Sequence, residues 1–194
     1  MKIIVASVPG AGKTTVLNFV KKKLPSAKII NTGDIVFEVS KKKFKIKNRD
    51  ELTKKLTIEQ HKKMEEIAAE KISKMKNKIL LIDTHIALKT PEGYYPSLSE
   101  DKVKKINPNL IVVLEFNPKE IIRRRMKDKS RHRDKETEKE IAEHQQVNRE
   151  FAIAAASHIE IPVEVLDYYE KEKKPFEQAY KAADAIIKLI KNFK

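Results

Sequence analysis

Residues 7–15 read Ser7-Val8-Pro9-Gly10-Ala11-Gly12-Lys13-Thr14-Thr15 and separate two patterns of different period. Before them, Lys2-Ile3-Ile4-Val5-Ala6 is a short apolar run of the kind that fills a buried parallel strand. After them, Val16, Leu17, Phe19 and Val20 supply the apolar side of a helix that begins near Lys13. Strand, turn of small residues, Gly-Lys-Thr and helix form the context in which such a turn wraps phosphate. Small residues let the backbone bend so that successive N–H groups point inward, and the helix start adds its own N–H groups and positive dipole end. Pro9, Gly10, Ala11, Gly12, Lys13, Thr14 and Thr15 are therefore expected to cradle a nucleoside triphosphate. Lys13 would reach the β- and γ-phosphates and the Thr14 hydroxyl would sit on Mg²⁺. The pattern ordinarily opens with Gly five residues before the Gly-Lys pair; Ser7 stands there, so the first turn must be one that an L-residue can make.

The chain has 194 residues, enough for a single α/β domain (1–194) with a sizeable core. It contains no Cys, which rules out disulfides and thiolate metal sites and fits a cytoplasmic protein. The N-terminal apolar run is too short for a signal peptide, and no apolar stretch approaches membrane-spanning length. The formal net charge of +14 suits polyanions such as nucleotides, RNA or anionic lipid, or a Lys/Glu-rich surface of the thermophile kind. Lysine is scattered throughout, whereas six of the seven arginines fall between 123 and 149. Where Lys is the default surface cation, clustered Arg marks places that need a planar, bidentate fork, and phosphate recognition is the leading such use.

Further along, Ala27–Asn31, 78–83, 110–115 and 162–166 read as strands, with helices between them. Thr57-Ile58-Glu59-Gln60 is a capping box opening a long helix, and Asn117-Pro118 opens another. Residues 84–98 read as a loop with turn chemistry at Thr90-Pro91-Glu92-Gly93, and 129–137 as a charged loop. Five short strands alternating with helices imply a three-layer fold, a five-stranded parallel sheet with helices on both faces. Ligands in such sheets lie beyond the carboxyl ends of the strands.

Several chemically capable residues fall at those ends. Asp83 closes an apolar strand, where it would meet the metal of a phosphate-loop enzyme; an N-capping role is the bland alternative. Thr32, Gly33 and Asp34 follow the second strand on the acceptor side, where Thr32 or Asp34 could equally be an ordinary helix cap. His85 and Lys89 share the loop after Asp83, and Arg49 is the one arginine outside the cluster. Arg124, Arg131, Arg133 and Arg149 belong to a helix–loop–helix hairpin that could close over phosphates, or could form an RNA-binding patch or a solvated surface. No Asn-Lys-x-Asp guanine-reading segment is positioned for use, which argues against a GTP switch.

Val8–Thr15, Asn31–Asp34, Asn48-Arg49-Asp50-Glu51, Asp83-Thr84-His85, Lys89–Tyr94, Arg131-His132-Arg133-Asp134 and Asn148-Arg149 together resemble the archaeal-type adenylate kinases, collinearly from residue 2 to about 166. The resemblance implies a P-loop nucleoside monophosphate kinase with its core at 1–31, 77–126 and 140–194. It also implies an acceptor-binding insertion at about 32–75 and a lid at about 127–139. The implied reaction is reversible, Mg²⁺-dependent transfer of the ATP γ-phosphate to AMP, giving two ADP, in a homotrimer. On this reading Lys13, Arg124, Arg131, Arg133 and Arg149 are catalytic, Thr14 and Asp83 hold the metal, and Thr32, Gly33, Arg49, His85 and Lys89 face AMP. Phe37 stands where bacterial relatives carry an acceptor-binding arginine, which leaves that charge to Arg49 or Lys89. An adenylate-kinase-like ATPase of RNA or ribosome assembly, and a kinase for another monophosphate, are the competing readings.

Overall fold

In the computed structural model the described residues are 1–47, 52–90, 92–128 and 136–193, with the side chains of 53 and 54 set aside. Five strands form the central sheet: β1 (Lys2–Ala6), β2 (Lys28–Asn31), β3 (Leu80–Thr84), β6 (Leu110–Phe116) and β7 (Val163–Tyr168). Their order is β2-β3-β1-β6-β7 and every pairing is parallel. Between β3 and β6 lies an antiparallel hairpin, β4 (Ala87–Thr90) with β5 (Gly93–Pro96). The stretch 84–98 is thus not the plain loop expected of it. The turn at Thr90–Gly93 was legible, but each arm has only four residues and no hydrophobic alternation to announce it.

The two faces of the sheet follow from the strand period of two. Ile3, Val5, Val112 and Leu114 face one core with α1 (Lys13–Lys23) and α8 (Glu177–Asn192). Ile4, Ile82, Ile111 and Val113 face the other, with α4 (Ile58–Ser73), α5 (Glu100–Ile106) and α7 (Glu138–Ser157). Because β1, β3 and β6 are covered on both sides, they read as unbroken apolar runs. A third, smaller core of Val36, Ile46, Leu52, Met64 and Ala68 holds together α2 (Thr32–Phe44), α3 (Leu52–Lys55) and α4. Phe37 packs against that core. The remaining helix is α6 (Pro118–Lys127), begun by Asn117, whose side chain accepts from the Lys119 N–H.

The capping box expected at Thr57 and Gln60 is present. At α2 the cap is Asn31, one residue before Thr32 and three before Asp34, neither of which caps the helix: its side chain accepts from the Asp34 N–H at 3.1 Å. Among the described residues no helix is long and apolar enough to cross a membrane.

Candidate active site

An open cleft of about 960 Å³ lies at the C-terminal ends of β1, β2 and β3, and residues 7–15 form its floor. The turn after β1 is made by two glycines at positive φ, Gly10 at 80° and Gly12 at 101°. Ser7 is not among the positive-φ residues, so the first turn is one an L-residue makes. Gly12 is the N-cap of α1 and brings no side chain to close the helix start. That leaves the positive end of α1 facing the cleft, where an anion is favoured.

Lys13 and Asp83 meet at this floor. The Lys13 ammonium contacts the Asp83 carboxylate and donates to the Thr84 carbonyl at 2.5 Å. Asp83 is placed there by the register that pairs it with Val5 on one side and Asn31 on the other. Asn31 completes the arrangement, because its Nδ2 donates to Asp83 Oδ2 at 2.8 Å while its Oδ1 caps α2. One amide therefore fixes both the carboxylate and the first turn of α2. Thr14 lies exposed one residue after Lys13. Thr14 and Asp83 both line the cleft, and a hydroxyl and a carboxylate are hard oxygen donors of the kind that suits Mg²⁺ completed by water and phosphate oxygens.

His85 reaches back to the start of the loop, with Nδ1 2.6 Å from the Ser7 carbonyl. A carbonyl only accepts, so Nδ1 carries the proton and Nε2 is the acceptor. Burial, and secondarily the Lys13 ammonium, push the ring down to about 3, so it is neutral at neutral pH.

Two arginines of α6 hold the loop from above. Arg124 Nη1 donates to the Ala11 carbonyl at 2.5 Å, and its guanidinium lies 4.7 Å from the Phe116 ring centroid. Its Nη2 donates to Glu172 at 3.1 Å and Gln178 at 3.0 Å. Arg125 donates to the Pro9 carbonyl from Nε at 3.0 Å and from Nη2 at 2.7 Å. A Cβ on Gly10 would come within 2.6 Å of Arg125 Cγ, so the glycine also allows this close approach.

The other expected site residues have different surroundings. Thr32 and Gly33 form the first turn of α2, with Thr32 Oγ1 buried and without a hydrogen-bond partner among the described residues. Lys89, on β4, pairs with Glu136 at 3.1 Å and Glu140 at 3.3 Å and does not line the cleft. Arg149 Nε lies 3.3 Å from Glu115, a carboxylate at the end of β6 that also accepts from the Tyr169 hydroxyl at 2.6 Å. Arg49, Arg131 and Arg133 lie outside the described residues. Asn31, Arg125 and Glu172 were not singled out from the sequence. The Arg cluster pointed towards Arg125 and the Asn-x-x-Asp spacing towards Asn31, but nothing local marked Glu172.

Residues 6–142 match a protein-family model described as an AAA domain. The adenylate kinase of Pyrobaculum aerophilum is 48% identical over 191 residues, covering 98% of this chain and 96% of that protein. That of Pyrococcus furiosus is 38% identical (98% of this chain, 96% of that protein). That of Thermoplasma volcanium is 39% identical (98% and 100%). Among solved structures, a shikimate kinase from Acinetobacter baumannii in complex with shikimate superposes with TM-score 0.63 at 16% identity. It covers 100% of this chain and 95% of that one, a likeness of fold alone.

Proposed function

The chain belongs to the adenylate kinase family, and from that premise we propose how its own residues carry the transfer of a phosphoryl group between ATP and AMP. The Lys13–Asp83 contact at the mouth of the glycine loop is the observation that carries this reading. In it the loop lysine and the strand-end carboxylate hold each other where both would hold a metal–triphosphate.

ATP lies with its phosphates over Pro9–Thr15. With ATP bound, Lys13 would exchange the Asp83 carboxylate for the β- and γ-phosphates, and Asp83 and Thr14 are the residues that would hold Mg²⁺. When bound, the ion neutralises phosphate charge and fixes the orientation of the β- and γ-phosphates. AMP lies towards Thr32 and Gly33 at the first turn of α2, with Lys89, His85 and Arg49 as the remaining acceptor-side groups. The acceptor phosphate is already ionised, so no general base is needed; positioning and charge neutralisation carry the step. Arg124 already touches the loop at Ala11, and it acts with Arg131, Arg133 and Arg149 on the transferring group. A homotrimer and the cytoplasm are the proposed assembly and compartment; the first rests on family resemblance alone, the second on composition.

The test is acceptor dependence. ATP should be consumed rapidly only with AMP, yielding two ADP, with UMP, CMP and GMP poor substitutes. A better acceptor among those bases would reassign the acceptor base. AMP-independent hydrolysis stimulated by RNA would overturn the kinase reading. Sedimentation equilibrium checks the trimer.

A further inference from the structure

Glu136 stands between two cations, Arg125 against the phosphate loop and Lys89 on the β4–β5 hairpin. Its carboxylate contacts the Arg125 guanidinium, which grips the Pro9 carbonyl of the phosphate loop through Nε and Nη2. It also lies 3.1 Å from Lys89 Nζ on the β4–β5 hairpin. The two guanidinium and carboxylate side chains are 10% and 13% exposed, whereas Lys89 is 41% exposed and has a second carboxylate, Glu140, at 3.3 Å. A continuous chain of charge thus runs from the phosphate loop through Arg125 and Glu136 to Lys89. Its two inner members are shielded from solvent and its outer member is open to a ligand.

A phosphate dianion arriving at Lys89 competes with these carboxylates for the same ammonium, because like charges around one cation repel. Glu140 has another role to fall back on: it closes the capping box of α7 with Thr137. Glu136 has Arg125. We propose that Glu136 couples the two nucleotide sites: acceptor phosphate draws Lys89 away from it, and its undivided charge then strengthens the Arg125 grip on the donor loop. The proposal rests on reading Lys89 as an acceptor-side contact. Because coupling is reciprocal, a bound donor strengthens AMP binding by the same factor that AMP strengthens donor binding.

Calorimetric titration of AMP, alone and in the presence of a non-hydrolysable ATP analogue, tests this in the parental protein, Glu136→Gln and Lys89→Met. In the parental protein the analogue should tighten AMP by about fivefold or more. Glu136→Gln should bind AMP alone about two- to fivefold more tightly, since one carboxylate competing for the half-exposed Lys89 ammonium is gone. In that variant the analogue should no longer change AMP affinity. Lys89→Met should weaken AMP with or without the analogue. Weaker AMP binding in Glu136→Gln, an undiminished analogue effect in it, or no analogue effect in the parental protein overturns the proposal. Unchanged AMP affinity in Lys89→Met removes the role of Lys89 and the coupling with it, whereas AMP-dependent turnover of ATP would still stand. Thermal unfolding of both variants separates these outcomes from loss of fold.

Discussion

The Lys13 ammonium and the Asp83 carboxylate are in direct contact at the C-terminal edge of the sheet, with 5% and 7% of their side chains exposed. A pair so buried gains little net when both partners are present, but removing one strands the other. Lys13→Met should therefore lose activity for a chemical reason and stability for an electrostatic one. Transition-state stabilisation by one preorganised charge is worth about 10²–10³ in rate, so kcat/KM should fall by that much. Asp83→Asn in the same chain should restore much of the stability and none of the activity. Steady-state kinetics and thermal unfolding of the single and double variants check this. Parental kcat/KM in Lys13→Met would remove the lysine from the reaction.

Gly10 has φ 80°, and its missing side chain leaves room for Arg125. Gly10→Ala therefore meets two separate costs, a left-handed backbone at about 1–2 kcal/mol for an L-residue and a collision with a side chain. Adding Arg125→Ala relieves the collision only. The single variant should be destabilised and bind ATP poorly, and the double variant should regain part of its melting temperature without regaining the parental KM for ATP.

Burial with neighbours decided what could be read in advance. β1, β3 and β6 carry their fate in their own residues, since a run such as Leu80-Leu81-Ile82 ending on Asp83 has few other uses in a chain of this size. The phosphate loop was equally legible, because its glycines and Lys13 act through local backbone geometry. Arg125 was not, since its partner is a carbonyl 116 residues away. Lys89 stood out as a cation near a turn, but Glu136 and Glu140, which set its surroundings, lie 47 and 51 residues further on. The double task of Asn31 depends on β2 lying in register with β3, which only the assembled sheet supplies.

His85 gives the fold a defined response to acid. Its ring is held neutral down to about 3 by burial and by Lys13, whereas in the unfolded chain it takes up a proton near its ordinary value of 6.5. The unfolded state thus binds more protons at mild acidity. This contribution is complete above pH 6.5 and is lost as pH falls towards 3, by up to about 1.4 kcal/mol per pH unit. His85→Asn keeps an N–H donor for the Ser7 carbonyl and cannot titrate. Between pH 6.5 and 4 its unfolding free energy should fall less steeply than the parent's by close to one proton. Parallel curves would mean that the folded protein protonates the ring.

Glu65 of α4 and Lys102 of α5 pair at 2.5 Å with 9% and 7% of their side chains exposed, and they tie the two helices together. Tyr95 covers the ammonium at 5.7 Å. Burial raises the Glu65 carboxyl above its ordinary value, and the pull of Lys102 in the other direction is smaller. Lys102→Met removes that pull and leaves the buried carboxylate with no cation beside it except the His61 ring at 3.8 Å, held neutral by burial, which should cost about 3–5 kcal/mol near neutral pH. With its folded pKa raised further, Glu65 holds its proton more tightly in the folded state than in the unfolded one. The penalty should therefore shrink as pH falls from 7.5 to 5, and Glu65→Gln in the same chain should abolish most of it at both. Urea unfolding at the two pH values measures this. A penalty of the same size at both, or one that Glu65→Gln leaves untouched, would show that the loss comes from packing around Lys102 and not from the stranded charge.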